Sequence, residues 1–262
     1  MKKALFLFLA LAIGGKYAIA QDGGENDLKN FRFGLKATGA LTWYKPDNKK
    51  LFESNGVTAK GGYGLMMEFR LNKVAVIGTG LQVDYDGGKM NMLDTTYYFI
   101  NKDSEIISRS DTSSQQYTML RLGTRQYNTT YLTIPLTLKL KTNEIGYLTY
   151  YGQFGINASF RLKSRVNDET YTGNLKSDQT DLENTKDMSL FKFALNIGGG
   201  AEWNLSGSTS VVFGLNWYNG FSNVVKKESD YLFRYNSTSN QFEDTKQNFR
   251  ASAIALSVGV LF

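Results

Sequence analysis

Residues 31–43 read FRFGLKATGALTW. In an extended chain Phe31, Phe33, Leu35, Ala37, Gly39, Leu41 and Trp43 share one face. Arg32, Gly34, Lys36, Thr38, Ala40 and Thr42 share the other. Alternation of period two marks a strand whose two faces meet different surroundings. The same reading recurs seven more times, near residues 63–71, 74–86, 131–141, 147–162, 190–204, 210–221 and 250–262. In the last segment Ile254, Leu256, Val258, Val260 and Phe262 form the apolar row, backed by the small residues Ala253, Ala255, Ser257 and Gly259.

The connections alternate as well. Short links, LNK (71–73), TNEIG (142–146) and LSGST (205–209), are interleaved with long polar stretches near 44–62, 87–130, 163–189 and 222–249. Eight strands with short turns at one end and long loops at the other predict an all-β fold. The expected form is an eight-stranded antiparallel up-and-down transmembrane β-barrel with long extracellular loops, with both termini on the turn side. A soluble eight-stranded barrel with its apolar face inside is the rival. Trp43, Trp203 and Trp217 all lie on the apolar face towards strand ends, where membrane interfaces collect tryptophan. From Phe33 to Trp43 the row rises about 25 Å, at roughly 3.3 Å per residue and a tilt of about 40°, which matches an apolar band. The polar face is rich in Gly, Thr, Asn and Gln, as in VFGLNWYNG (212–220), and is lightly charged for a water-facing exterior.

Composition agrees. The 262 residues include 16 Tyr, 17 Phe and 26 Gly but only 2 Pro, a mixture suited to long strands. Mean hydropathy is −0.33, and membrane barrels are invisible to such averages because only alternate strand residues are apolar. There is no Cys and no His, which removes disulfides, thiolate metal sites and the commonest general base. The first twenty residues, MKKALFLFLALAIGGKYAIA, read as a signal peptide. Lys2 and Lys3 lead, Ala4 to Ile13 form the apolar core, and Ala18-Ile19-Ala20 is the cleavage site, so the mature chain is expected to span residues 21–262 as one barrel domain. The formal charge of +6 owes three units to Lys2, Lys3 and Lys16, leaving +3 and no basic cluster, so nucleic acid is not an expected partner.

YLTIPLTLKLK (131–141) resembles a strand of the outer-membrane β-barrel families of Bacteroidota, the PorT-like group in particular. The leader and the terminal Phe262 fit the same resemblance. It implies a barrel in the bacterial outer membrane, with membrane lipids as its surroundings. Phe262 is similar to the C-terminal signal read by the barrel-assembly machinery. An accessory role in type IX secretion, which PorT serves, is one implied alternative.

Candidate chemistry is sparse. DYDGG (84–88) begins like a calcium loop but lacks the closing Glu, and reads as a strand running into a Gly-Gly turn. GTG (78–80) and GGG (198–200) sit inside strands, where they relieve crowding. If Trp43 pairs near Tyr63, Thr38 faces Glu68 and Lys36 faces Arg70, giving a lumen charge network of Lys36, Glu68 and Arg70. The wider inward row adds Arg32, Gln82, Lys139, Tyr151, Gln153, Arg161, Lys192 and Glu202. Eight strands enclose a lumen that side chains can fill. The expectation is therefore a non-enzymatic, side-chain-filled barrel without cofactor, structural or surface-interacting, with a narrow channel as the alternative. TYYFINKDSEIIS (96–108) and DYLFRYNSTSNQFED (230–244) each read as two strand-like runs around a polar turn. Loops 87–130 and 222–249 are the expected place for an extracellular partner, and DTT (94–96) resembles an O-glycosylation acceptor of Bacteroidota.

Overall fold

The computed structural model describes residues 30–113, 116–173, 175–206, 209–236 and 239–262. The expected leader, residues 1–20, lies outside the described residues. Among the described residues thirteen strands are found: β1 (Phe31–Pro46), β2 (Phe52–Ser54), β3 (Thr58–Arg70), β4 (Ala75–Asn101), β5 (Ile106–Ile107), β6 (Tyr117–Lys141), β7 (Leu148–Thr172), β8 (Leu175–Glu183), β9 (Phe191–Ser206), β10 (Thr209–Gly220), β11 (Glu228–Asn236), β12 (Gln241–Lys246) and β13 (Phe249–Leu261). Eight of them close a ring in the order β1-β3-β4-β6-β7-β9-β10-β13, each neighbour antiparallel. β13 returns to β1 with Gly34 facing Leu261 and Pro46 facing Phe249, so the ring has no free edge for another chain to pair with.

The outward row is apolar and exposed, from Phe33 and Leu35 on β1 to Leu256 and Val258 on β13. Hydrocarbon takes the place of water there, and the closed ladder of neighbouring strands pairs the backbone N–H and C=O groups apart from a gap at Pro135. Aromatic side chains gather at both rims. Phe31, Phe33, Phe69 and Phe262 touch at the turn side, and Phe160, Phe191, Phe193 and Phe221 touch at the other. Pro135 interrupts the ladder between β4 and β6, which is unpaired between Thr79–Leu136 and Gln82–Thr133. The hydroxyl of Thr79 donates to the Pro135 carbonyl across that gap at 2.8 Å.

The long loops need correction. A membrane strand requires about 9–11 residues, yet β4 has 27 and β6 and β7 have 25 each. The stretch 87–130 is largely a continuation of the β4–β6 hairpin, paired from Gly87–Asn128 to Asn101–Tyr117. Residues 163–171 of β7 continue likewise beside β6. Gly87-Gly88 is therefore no turn. Gly88 faces inward under the Tyr44 ring, where an added Cβ would lie 2.6 Å from Tyr44 Cγ. The runs at 96–108 form a small hairpin, with Phe99 facing Ile107, and those at 230–244 form the β11–β12 hairpin docked on β4 at Phe233–Tyr97.

This head, outside the membrane on the loop side, holds the main hydrophobic core. Tyr44, Phe52, Met90, Tyr98, Leu122, Leu232 and Phe249 are among its fully buried members. Its polarity is the reverse of the barrel's. Along β4 the inward residues run Gln82, Asp84, Asp86 and then Met90, Met92, Tyr98 and Ile100. The outward residues run Leu81, Val83, Tyr85 and then Lys89 and Asn91. The ladder with β6 is unbroken from Gln82 to Asn91, so no bulge turns the strand over. Only the side-chain chemistry changes sides.

Candidate functional site

At the turn end of the lumen five charged side chains from four strands meet: Arg32 of β1, Glu68 of β3, Lys139 and Lys141 of β6, and Glu202 of β9. Arg32 lies 2.5 Å from Glu68 and 2.8 Å from Glu202. Lys141 lies 2.8 Å from Glu68 and 2.6 Å from Glu202. Lys139 contacts Glu68 and stands 3.5 Å from Glu202. Each carboxylate thus touches all three cations, and all five groups are buried. Lys139 also sits 4.2 Å from the centroid of the Tyr151 ring. Desolvated charges are tolerated only when paired and hydrogen-bonded, and this cluster supplies six such contacts across the lumen.

Tyr151 crosses the lumen above the cluster, its hydroxyl donating to the Phe213 carbonyl at 3.0 Å. It fits because Gly200 and Gly214 lack side chains, for a Cβ on either would lie 2.7 Å from the Tyr151 oxygen. The crowding-relief reading of GGG (198–200) has that physical content. Above it a cavity of about 60 Å³ is bordered by Lys36, Gln82, Gln153, Asn196 and Asn216. By the same measure one water needs about 10–15 Å³, so the space suits a few waters. Nearer the head, Lys192 bonds Asp86 at 2.6 Å and lies 4.3 Å from the Tyr131 ring centroid.

The expected trio of Lys36, Glu68 and Arg70 is not assembled as a unit. Arg32, not Lys36 or Thr38, stands beside Glu68, while Lys36 faces Gly64 and Arg70 faces Val76 on β4. The register differs by six residues because Thr42 already faces Thr58, so the first loop is shorter than 44–62. Lys36 and Arg70 are half-buried and form no ion pair among the described residues. Lys141 was missed. Its signal was available, since Arg32, Glu68, Lys139, Lys141 and Glu202 are all inward-parity charges within a few residues of turn-side strand ends. Phe262 closes the turn-side rim, its amide donating to the Phe33 carbonyl at 2.8 Å and its ring 5.9 Å from that of Phe33.

The head carries its own buried pair. Arg125 of β6 binds Asp168 of β7 in bidentate fashion, Nε to Oδ1 at 2.8 Å and Nη2 to Oδ2 at 2.6 Å, and both side chains are wholly enclosed. Burial acts to lower the guanidinium's pKa, but the charge and bonds of Asp168 outweigh it and hold Arg125 above its ordinary value. Neither residue stood out in the sequence, because both fall in stretches that read as loops.

A family model described as outer membrane protein beta-barrel domain matches residues 19–226. No curated protein matches the chain. Among solved structures, the chain is similar to OprG of Pseudomonas aeruginosa, at 10% identity and a TM-score of 0.46, over 90% of this chain and 97% of that one. Neisserial surface protein A is similar at 10% identity and a TM-score of 0.41, over 89% and 96%. The outer membrane protease OmpT of Escherichia coli is similar at 11% identity and a TM-score of 0.37, over 93% and 99%.

Proposed function

The chain belongs to the outer membrane protein β-barrel domain family, and from that membership we propose that it is a non-enzymatic, non-conducting barrel of the bacterial outer membrane that acts through its extracellular head. The observation that carries this reading is the cluster of Arg32, Glu68, Lys139, Lys141 and Glu202, which spans the lumen at the turn end. Removing one partner of a buried ion pair costs about 3–5 kcal/mol, so thermal opening of a water path through it is rare. A narrow channel is the second reading, favoured by Lys36 and Arg70, whose charges stay in the lumen outside the paired cluster. Purified protein in a planar bilayer is expected to show no steady conductance. A stable open level in the unmodified protein would replace the closed barrel with the channel. A PorT-like accessory role in type IX secretion rests on the likeness of residues 131–141, with the leader and Phe262, and co-purification with that machinery would support it.

A further inference from the structure

The lumen cavity of about 60 Å³ above Tyr151 is bordered by donors from three strands: Lys36 of β1, Gln82 of β4 and Asn216 of β10. None of their side-chain nitrogens makes a hydrogen bond among the described residues. They are not sealed in protein either, unlike the Asn196 oxygen beside them, and each keeps surface open to the space it borders. Gln153 Nε2 donates to Asn216 Oδ1 at 2.5 Å, which leaves Asn216 Nδ2 as the atom for the cavity. The Gln82 amide has no partner to fix it and can turn its NH2 inward. Glu68 is the one carboxylate bordering the space, and both of its oxygens are taken, Oε1 by Lys139 and Oε2 by Arg32 and Lys141.

Charge points the same way as the donors. From the turn end to the level of Asp84, the described inward side chains carry the cations Arg32, Lys36, Arg70, Lys139 and Lys141 against the carboxylates Glu68, Asp84 and Glu202. Two positive charges are in excess. Asp84 attracts Lys36 only from beyond ion-pair distance. A confined charge is costly without a counter-charge, and water in the cavity would meet the donors but leave the excess uncompensated. A cation is repelled by Lys36. An oxyanion is best held by a guanidinium fork, but Arg32 is occupied by Glu68 and Glu202, and Arg70 does not border the cavity. A monatomic anion accepts from an ammonium and two amides in any direction. At about 10–15 Å³ for one water, the space holds such an ion with a few waters.

We propose that this cavity binds one chloride ion through the Lys36 ammonium and the NH2 groups of Gln82 and Asn216, as the counter-charge of the lumen. The inference does not depend on whether the barrel conducts, because bilayer recording decides conduction and ion occupancy decides this site.

The test uses the full barrel crystallised with bromide in place of chloride, so that anomalous scattering locates the ion. A second arm compares melting in nanodiscs in chloride and in gluconate at equal ionic strength. One bromide is expected in the lumen against Lys36 Nζ, and the unmodified barrel is expected to melt higher in chloride, increasingly so with concentration. Lys36→Met is expected to weaken the ion tenfold or more, removing both the bromide peak and the melting difference. Gln82→Leu is expected to reduce both, and it carries the test if Lys36→Met does not fold, as heat-modifiable migration shows. Water alone in the cavity, bromide at surface lysines only, or a lumen bromide undiminished in the folded variants overturns the proposal. So does a melting difference between chloride and gluconate that the variants retain in full.

Discussion

On the outer face of β4, Leu81, Val83 and Tyr85 meet lipid, and a few residues on Lys89 and Asn91 meet water. On β6 the outward row passes from Leu136, Ile134 and Leu132 to Thr130, Asn128 and Gln126 in the same way. The inward rows exchange character at the same level, from Asp86 and Thr129 to Met90 and Tyr127. Barrel and head are one continuous set of strands under two solvents. In the membrane the outside is as apolar as the chain, so burial of apolar side chains contributes little there. Stability must come from the closed ladder and from polar groups paired in the lumen. In the head the ordinary hydrophobic effect operates, at about 1.5–3 kcal/mol for each large apolar side chain such as Phe52, Leu232 or Phe249. The comparison teaches that the same pleat serves both solvents, and that what each region can lose differs.

The largest effects should come from the two buried charge sites, and they should appear in different places. Glu68→Ala leaves Arg32, Lys139 and Lys141 around a single carboxylate and should cost about 3–5 kcal/mol. The loss is expected in the barrel itself, as a lower temperature of heat-modified migration. Arg125→Ala strands Asp168 in the head core at a similar cost of about 3–5 kcal/mol. Here rapid proteolysis of residues 87–130 is expected while the membrane-embedded part stays heat-modifiable. If Arg125→Ala lowers barrel melting as much as Glu68→Ala does, the two regions form one cooperative unit and the division drawn above fails.

A smaller, sharper test keeps one strand and one face. Ile134 and Gln126 both point outward from β6, eight residues apart, on opposite sides of the polarity exchange. Ile134→Lys places a charge in hydrocarbon and should cost about 2–4 kcal/mol near the midplane. Gln126→Lys places one in water and should stay within about 0.5 kcal/mol. Denaturant unfolding in lipid vesicles measures both. Equal costs would move the membrane boundary.

The same exchange explains what could be read from the sequence. Strand number, turn order and the lipid face were legible because an apolar outward row has no other use in so polar a chain. Of the head only the hairpin runs at 96–108 and 230–244 were legible, because the reading followed that outward row, which ends at Tyr85 and resumes at Leu132. Beyond Tyr85 the strand still alternates, but Met90, Met92, Tyr98 and Ile100 carry the apolar role on the other face. A reading that allowed the parity to change sign would have found the β4–β6 hairpin. The pairing of Arg32 with Glu68 was out of reach for a different reason. Register across β1 and β3 depends on how the intervening loop folds, and a six-residue error there replaces Arg32 with Thr38 opposite Glu68. Tertiary pairs such as Lys141 with Glu202 need strands two places apart around the ring, which local patterning does not relate.

A further small effect concerns pH and the head alone. Burial raises the Asp187 carboxyl above its ordinary range. Bonds from Ser229 and Gln247 and the charges of Arg125 and Lys226 oppose that shift without cancelling it. Between the ordinary carboxylate value and the raised one, the folded head holds a proton that the unfolded chain has released. By linkage its stability then falls as pH rises through that window, and is fully present below it. Asp187→Asn removes the titration while an amide oxygen can still accept from Gln247. The variant head is therefore expected to melt at the same temperature across the window, where the unmodified head melts lower as pH increases. The difference should be within about 1 kcal/mol, the scale of a single hydrogen bond. Tyrosine circular dichroism reports it, because the apolar core of the head contains Tyr44, Tyr98 and Tyr127. A melting temperature of the unmodified head that rises with pH through this window would reverse the sign, and would mean that Asp187 is stabilised as the anion by a partner the folded head provides.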